Sequence, residues 1–219
     1  KSLICGFIIS VLCSLVNFSG KCEDISDKIL RLHIIANSDS FEDQNLKLKV
    51  RDRILKDFGV EIANVHNMND AEILARENLE KIKLSAQDEI SRNGFDYKVN
   101  VELINMHFNT RVYTDVTLPA GNYDALRVTI GEAKGKNWWC VMFPPMCIPA
   151  AEEKREISEV LNESESKIVT NSGDYKIEFK IVEVFSQARD FLQNNVYNPI
   201  KEYLSDEDNF EYGCSLSFE

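Results

Sequence analysis

The chain has 219 residues and carries 25 Lys and Arg against 36 Asp and Glu, a formal charge of −11. An acidic surface of that size repels phosphate, which argues against nucleic acid or an anionic membrane surface as partner. The length suffices for one good hydrophobic core, and no internal repeat or low-complexity block divides it.

Lys1 precedes an apolar run from Leu3 to Phe18 whose polar interruptions are Ser10, Ser14 and Asn17, followed by the polar exit Ser19-Gly20-Lys21. A basic start, an apolar middle and a polar end make the layout of a secretory signal. As a helix the run covers about 24 Å at 1.5 Å per residue, short of the hydrocarbon core of roughly 30 Å, so an export signal is favoured over a stable span. Residues 1–22 are therefore expected to be a signal peptide or N-terminal anchor, with cleavage after Cys22 as one weak option and retention as the alternative.

Residues 23–150 are expected to form the main domain. Ile29 to Ala36 reads as a strand ending at the turn Asn37-Ser38-Asp39-Ser40. Ser40 and Asp43 resemble a helix cap, Leu46, Val50, Ile54 and Phe58 repeat along one helical face, and Gly59 supplies a stop. A second helix is expected from about Asn69 to Arg92, with Ile73, Leu74, Leu79, Ile82, Ala86 and Ile90 inward. From Tyr97 the period changes to two, beginning a sheet. Further strands are expected near Arg111 to Thr117, Tyr123 to Gly131 and Lys136 to Phe143, the last two joined by a turn as a β-meander. Residues 151–172 read as an acidic helix or linker. Residues 173–219 then supply a strand from Tyr175 to Phe185 and a helix from Gln187, completing the same domain. The class expected is α+β, a mostly antiparallel sheet with helices packed on one face.

The stretch Asn137 to Pro149, NWWCVMFPPMCIP, sets two tryptophans and Cys140 on a strand, bends at Pro144-Pro145, and reaches Cys147. That spacing reads as a short disulfide loop in an oxidising compartment, worth about 2.5 kcal/mol on the chain-entropy argument; two buried free thiols are the alternative. Cys214 would be left over. Trp138 and Trp139 must point to opposite faces of their strand, so one is expected to be exposed, or else packed beneath the Pro-Pro loop.

Other motifs carry less. Gly131 to Asn137, GEAKGKN, lacks the spacing and the Ser or Thr of a phosphate-binding loop and reads as a hairpin turn. His33, His66 and His107 show no metal-ligand spacing, and the acidic run Asp206-Glu207-Asp208 lacks the alternating ligands of a calcium loop, so no metal or cofactor is expected. His33 near Ser38 and Asp39 could suggest a hydrolytic triad, but no nucleophile elbow accompanies it, and a strand residue beside a helix cap is the simpler reading.

Three segments, LRLHIIANSDSFEDQNLKLKVRDRIL from Leu30, LPAGNYDALRVTIGEAKGKNWWCVMFPPMC from Leu118, and FKIVEVF from Phe179, together resemble the stage II sporulation protein R family across roughly residues 27–186. The resemblance implies a secreted signalling protein, not an enzyme, made in the forespore of an endospore-forming bacterium and exported into the space between forespore and mother cell. It implies a membrane-embedded aspartic protease as receptor, activated to mature an early mother-cell sigma factor. No nucleic acid and no small-molecule substrate enters that picture.

The resemblance does not supply the receptor contacts. Exposed loops and aromatics nominate two patches, the turn with Asn37, Asp39 and Asp43 and the aromatic loop with Trp138 and Trp139, to which Arg127 and Lys136 add charge. The rival expectation is an exported hydrolase or thiol enzyme using His33 or Cys140.

Overall fold

The computed structural model describes residues 2–113, 116–146 and 157–198. In chain order the elements are α1 (Ser2–Ser26), β1 (Leu30–Ile35), α2 (Phe41–Ala63), α3 (Met68–Glu77), α4 (Leu79–Arg92), β2 (Val99–Phe108), β3 (Arg111–Val112), β4 (Thr117–Leu118), β5 (Gly121–Ile130), β6 (Asn137–Phe143), α5 (Glu163–Thr170) and α6 (Lys176–Leu192). The chain is α+β. Its main sheet has the order β2-β5-β1-β6, and β3 and β4 form a separate small ladder.

The sheet is mixed. β1 runs parallel to β5 and antiparallel to β6, and β2 runs antiparallel to β5, so two of its three pairings are antiparallel. β5 and β6 do not pair with each other, because β1 lies between them. The expected meander turn is instead a strap that carries the chain over the end of β1. The Lys134 and Gly135 amides donate to the carbonyls of Asn37 and Ala36 at 3.1 and 3.0 Å. A Cβ at Gly135 would sit 2.2 Å from the Ser38 carbonyl oxygen, so only glycine permits this approach.

Helices cover both faces. On the first, Leu30, Leu32 and Ile34 of β1 join Leu126, Val128 and Ile130 of β5 beneath α2, α3 and α4. On the second, Ala125 and Val141 meet Phe18, Cys22 and Ile25 of α1, Ile168 and Val169 of α5, and Phe179 and Val182 of α6. That second layer explains why all six residues of β1 are buried.

Several boundaries differ from those the sequence suggests, each for a packing reason. Gly59 does not end α2, which continues to Ala63 because Ile62 still reaches the core at 1% exposure. The expected long second helix breaks at Asn78, which caps α3 by donating its backbone N–H to the Leu74 carbonyl. In α3 the inward residues are Ala71 and Ala75, and Ile73 is exposed. Tyr175 to Phe185 is not a strand: Phe179, Val182 and Ser186 are buried at spacings of three and four residues, the period of helix α6. The alternation of Ile177, Phe179 and Ile181 is incidental, since Ile177 and Ile181 stay exposed. At the N-terminus, α1 runs past the expected boundary at residue 22 to Ser26. Among the described residues no helix is long and apolar enough to cross a membrane.

Candidate functional site

Period-two geometry places Arg31 and His33 of β1 on the second face of the sheet, opposite the leucines. The register extends this into rows. His33 lies beside Arg127 of β5 and Trp139 of β6, and Arg127 lies beside Glu102 of β2, so one row reads Glu102, Arg127, His33, Trp139. The helices of the second layer cover the half of this face that starts at Ile29 and leave this row partly open. Glu102, Arg127 and Trp139 are half-buried, and the next residues outward, Asn100 and Asn137, are exposed.

Within the row, the His33 imidazole is 3% exposed and stacks on the Trp139 indole, with centroids 3.9 Å apart and planes 9° apart. Phe108 closes the other side, edge-on to both rings. Burial pushes the His33 pKa down to about 4, opposed by a hydrogen bond with Asn137 and helped to a lesser degree by Arg127 and Arg31. The imidazole is therefore neutral at physiological pH. The Arg111 guanidinium lies 5.3 Å from the Trp139 ring, and Arg127 Nη1 stands 3.6 Å from Glu102 Oε1. The result is a shallow surface with the indole beside one guanidinium, Arg111, and a second, Arg127, on the far side of His33, on a protein that is acidic as a whole.

Arg31 supports this surface from below. It is fully buried, with its guanidinium 4.2 Å from the Phe108 ring and 5.0 Å from that of Tyr123. Nη2 donates to the Tyr113 hydroxyl at 2.6 Å, while Nε and Nη1 have no acceptor among the described residues. Burial lowers its pKa and the two tyrosines offset part of that shift. Tyr123 in turn donates to the Pro119 carbonyl at 2.7 Å, which fixes the ring under the guanidinium.

The nominated residues thus divide into three groups. Arg127 and Trp139 share the open row, with His33 between them. Trp138 lies on the opposite face, against the Arg51 guanidinium at 4.3 Å. Asn37, Asp39, Asp43 and Lys136 gather at the end of β1, where they tie its exit turn to the strap. The Asn37 side-chain oxygen accepts from the Glu132 amide, and Asp39 accepts from the Lys136 amide at 2.6 Å. Asp43 is buried and accepts from Asn37 at 2.8 Å and from the Ser38 hydroxyl at 2.6 Å. Burial alone would raise its pKa, but these bonds and one from Tyr97 outweigh it and hold the carboxyl below its ordinary value. Ser40 accepts from the Asp43 amide as the expected cap of α2.

His33, Ser38 and Asp39 form no relay. The histidine faces Trp139 and Phe108, whereas Ser38 donates to Asp43 and Asp39 serves the strap. Cys140 is 1% exposed on the first face. Cys147 and Cys214 lie outside the described residues, as do residues 206–208 and the 151–156 stretch of the expected linker. Among the described residues no group of three or more His, Cys, Asp or Glu could hold a metal.

Arg31, Phe108, Tyr113 and Arg111 are not among the residues that the sequence nominates. One signal was present: Arg31 and His33 share a parity inside the apolar run Ile29 to Ala36, which puts both polar groups on one side of a strand too apolar to lie at the surface.

Comparison with known proteins bears on this same segment. A family model described as stage II sporulation protein R matches residues 26–154. That range holds β1 to β6 and the whole row, and leaves out α5, α6 and nearly all of α1. A relative from Bacillus subtilis (strain 168), named stage II sporulation protein R, is 34% identical over 143 residues, covering 65% of this chain and 64% of that protein. The chain thus spans somewhat under two thirds of that relative's length. No solved structure matches.

Proposed function

Since the chain belongs to the stage II sporulation protein R family, we propose that it is an exported sporulation signal that activates a membrane-embedded aspartic protease in the mother cell. Activation would trigger proteolytic maturation of an early mother-cell sigma factor. The observation that carries this reading is the family match over residues 26–154, which includes every residue of the open row. The match supports a role in sporulation, and the finer role rests on the sequence resemblance together with a surface suited to binding.

In this reading Trp139, Arg127 and Arg111 make the receptor contact. Asn37, Asp39 and Lys136 lie at the neighbouring sheet end, and Asp43 acts from inside by holding that turn. Half-buried tryptophan and arginine are the residue types that dominate binding energy at interfaces. Cys140 and Cys147 close a disulfide that fixes the end of β6, which suits the oxidising space outside the forespore.

An activator shifts its target only by binding the active state better than the inactive one. An aspartic protease needs two carboxylates in one site, so bringing two protease chains together would do this. The test is co-expression of this chain, its cognate membrane protease and the sigma-factor precursor in a non-sporulating host, with and without residues 1–17. Precursor cleavage that requires export supports the reading. Absence of cleavage with verified export and folding defeats it.

A further inference from the structure

The leader expected at residues 1–22 conflicts with the packing of α1. Phe18, Cys22 and Ile25 follow one another at spacings of four and three, one face of a helix, and are 8%, 3% and 0% exposed. Phe18 stacks on Tyr175 at 5.7 Å and meets Phe179 edge-on at 5.6 Å, so it joins α1 to α6. Burial pushes the Cys22 thiol up to about 12. Ser26, also buried, donates to the Glu23 carbonyl at 2.9 Å and its side chain rests 3.8 Å from where a Cβ on Gly121 would lie. Upstream the picture changes: Cys13, Ser14 and Val16 are exposed.

We infer that the exported protein retains every residue from Phe18 onward, so that any cut made by a signal peptidase falls before Phe18, and residues 18–26 are a structural part of the sheet's second layer. This rests on the export reading above. A cut after Cys22 would remove two of the three buried side chains and leave Glu23 to Ser26, a single turn, far below the length at which a helix holds itself together. Ile25 and Ile29 would then lie under a frayed terminus, and the α5–α6 pair would lose the aromatic contact that joins it to α1.

The test expresses the full chain in a secreting host and reads the first residue of the protein recovered outside the cell by intact mass. A first residue at or before Phe18, the uncut chain included, is the expected result; a first residue between 19 and 27 overturns the inference. A second arm does not depend on export. In the full chain Phe18→Asp should lower the melting temperature by about 5 °C or more, while Val16→Asp, at a position 73% exposed, should leave it unchanged. Equal melting of the two variants overturns the inference even if no chain leaves the cell, whereas failure of export with this melting difference intact counts against the export reading alone.

Discussion

The two faces of one sheet are built on opposite principles. Beneath α2, α3 and α4 the first face is largely aliphatic: Leu32, Ile34, Val128 and Ile54 fill it, and the Arg51 guanidinium meets it over the half-buried Trp138. The second face sets a buried arginine and a buried histidine among aromatic rings, only part of which the helices cover. Aliphatic packing maximises stability, since each buried side chain contributes without a desolvation cost. A buried guanidinium lacking a carboxylate among the described residues contributes little net stability. The first face holds the protein together, and the second has been left free to serve another purpose.

The contrast can be broken by substitution. The largest effect is expected on the first face, where Leu32→Ala should cost about 3 kcal/mol in chemical denaturation. A cost below 1 kcal/mol would mean that the aliphatic layer is not the main source of stability. Next comes His33. Its pKa of about 4 in the folded protein lies below the ordinary value of 6.5, so the folded state disfavours its protonation. Stability from this group is complete above pH 6.5 and falls as the pH drops through 6.5 towards 4, by about 2 kcal/mol at pH 5. Denaturation at pH 7.5 and pH 5 should show this slope, and His33→Leu should remove it; a slope that survives the substitution would place its origin elsewhere.

Arg31→Met is expected to leave stability unchanged or raise it by about 1 kcal/mol, because the desolvation cost disappears while the apolar stem remains. A loss above 2 kcal/mol would show instead that the aromatic cage makes the cation a net stabiliser. The smallest structural effect belongs to the open row. Arg127→Ala should change stability by less than about 0.5 kcal/mol, yet reduce precursor cleavage in the co-expression assay. Trp139→Ser combined with Arg127→Ala should abolish it, whereas Trp138→Ser, on the other face, should not. Full signalling by the double variant would remove the row from consideration.

Much of the first face was legible in the chain because its determinants are local. Leu46, Val50, Ile54 and Phe58 announce their helix face by spacing, and Ser40 with Asp43 announces its start. The strand order was not legible. Nothing near Gly131 reveals that a strand almost a hundred residues earlier will come between β5 and β6, or that Gly135 is there to pass the Ser38 carbonyl rather than to turn a hairpin. α6 misled for another reason: KIEFKIVEVF satisfies both periods for part of its length, and only the buried positions Phe179, Val182 and Ser186 decide between them. At the site, the opposite orientation of Trp138 and Trp139 followed from strand geometry alone. The partners of Trp139 did not, because His33, Phe108 and Arg111 come from three different segments.

The position of β1 also sets the order in which the molecule can assemble. Leu30 pairs with Asp124 on one side and with Phe143 on the other. The first strand of the body is therefore an interior one, and its neighbours are the last two strands of the sheet. Loop closures of that length are slow, and they cannot begin until the distant strands exist. A chain emerging from a ribosome, or threading a membrane pore from its N-terminus, can form α2 to α4 early but cannot close its sheet until residue 143 has followed. Such a topology keeps the chain loose until its last strands are free and lets it become compact only then.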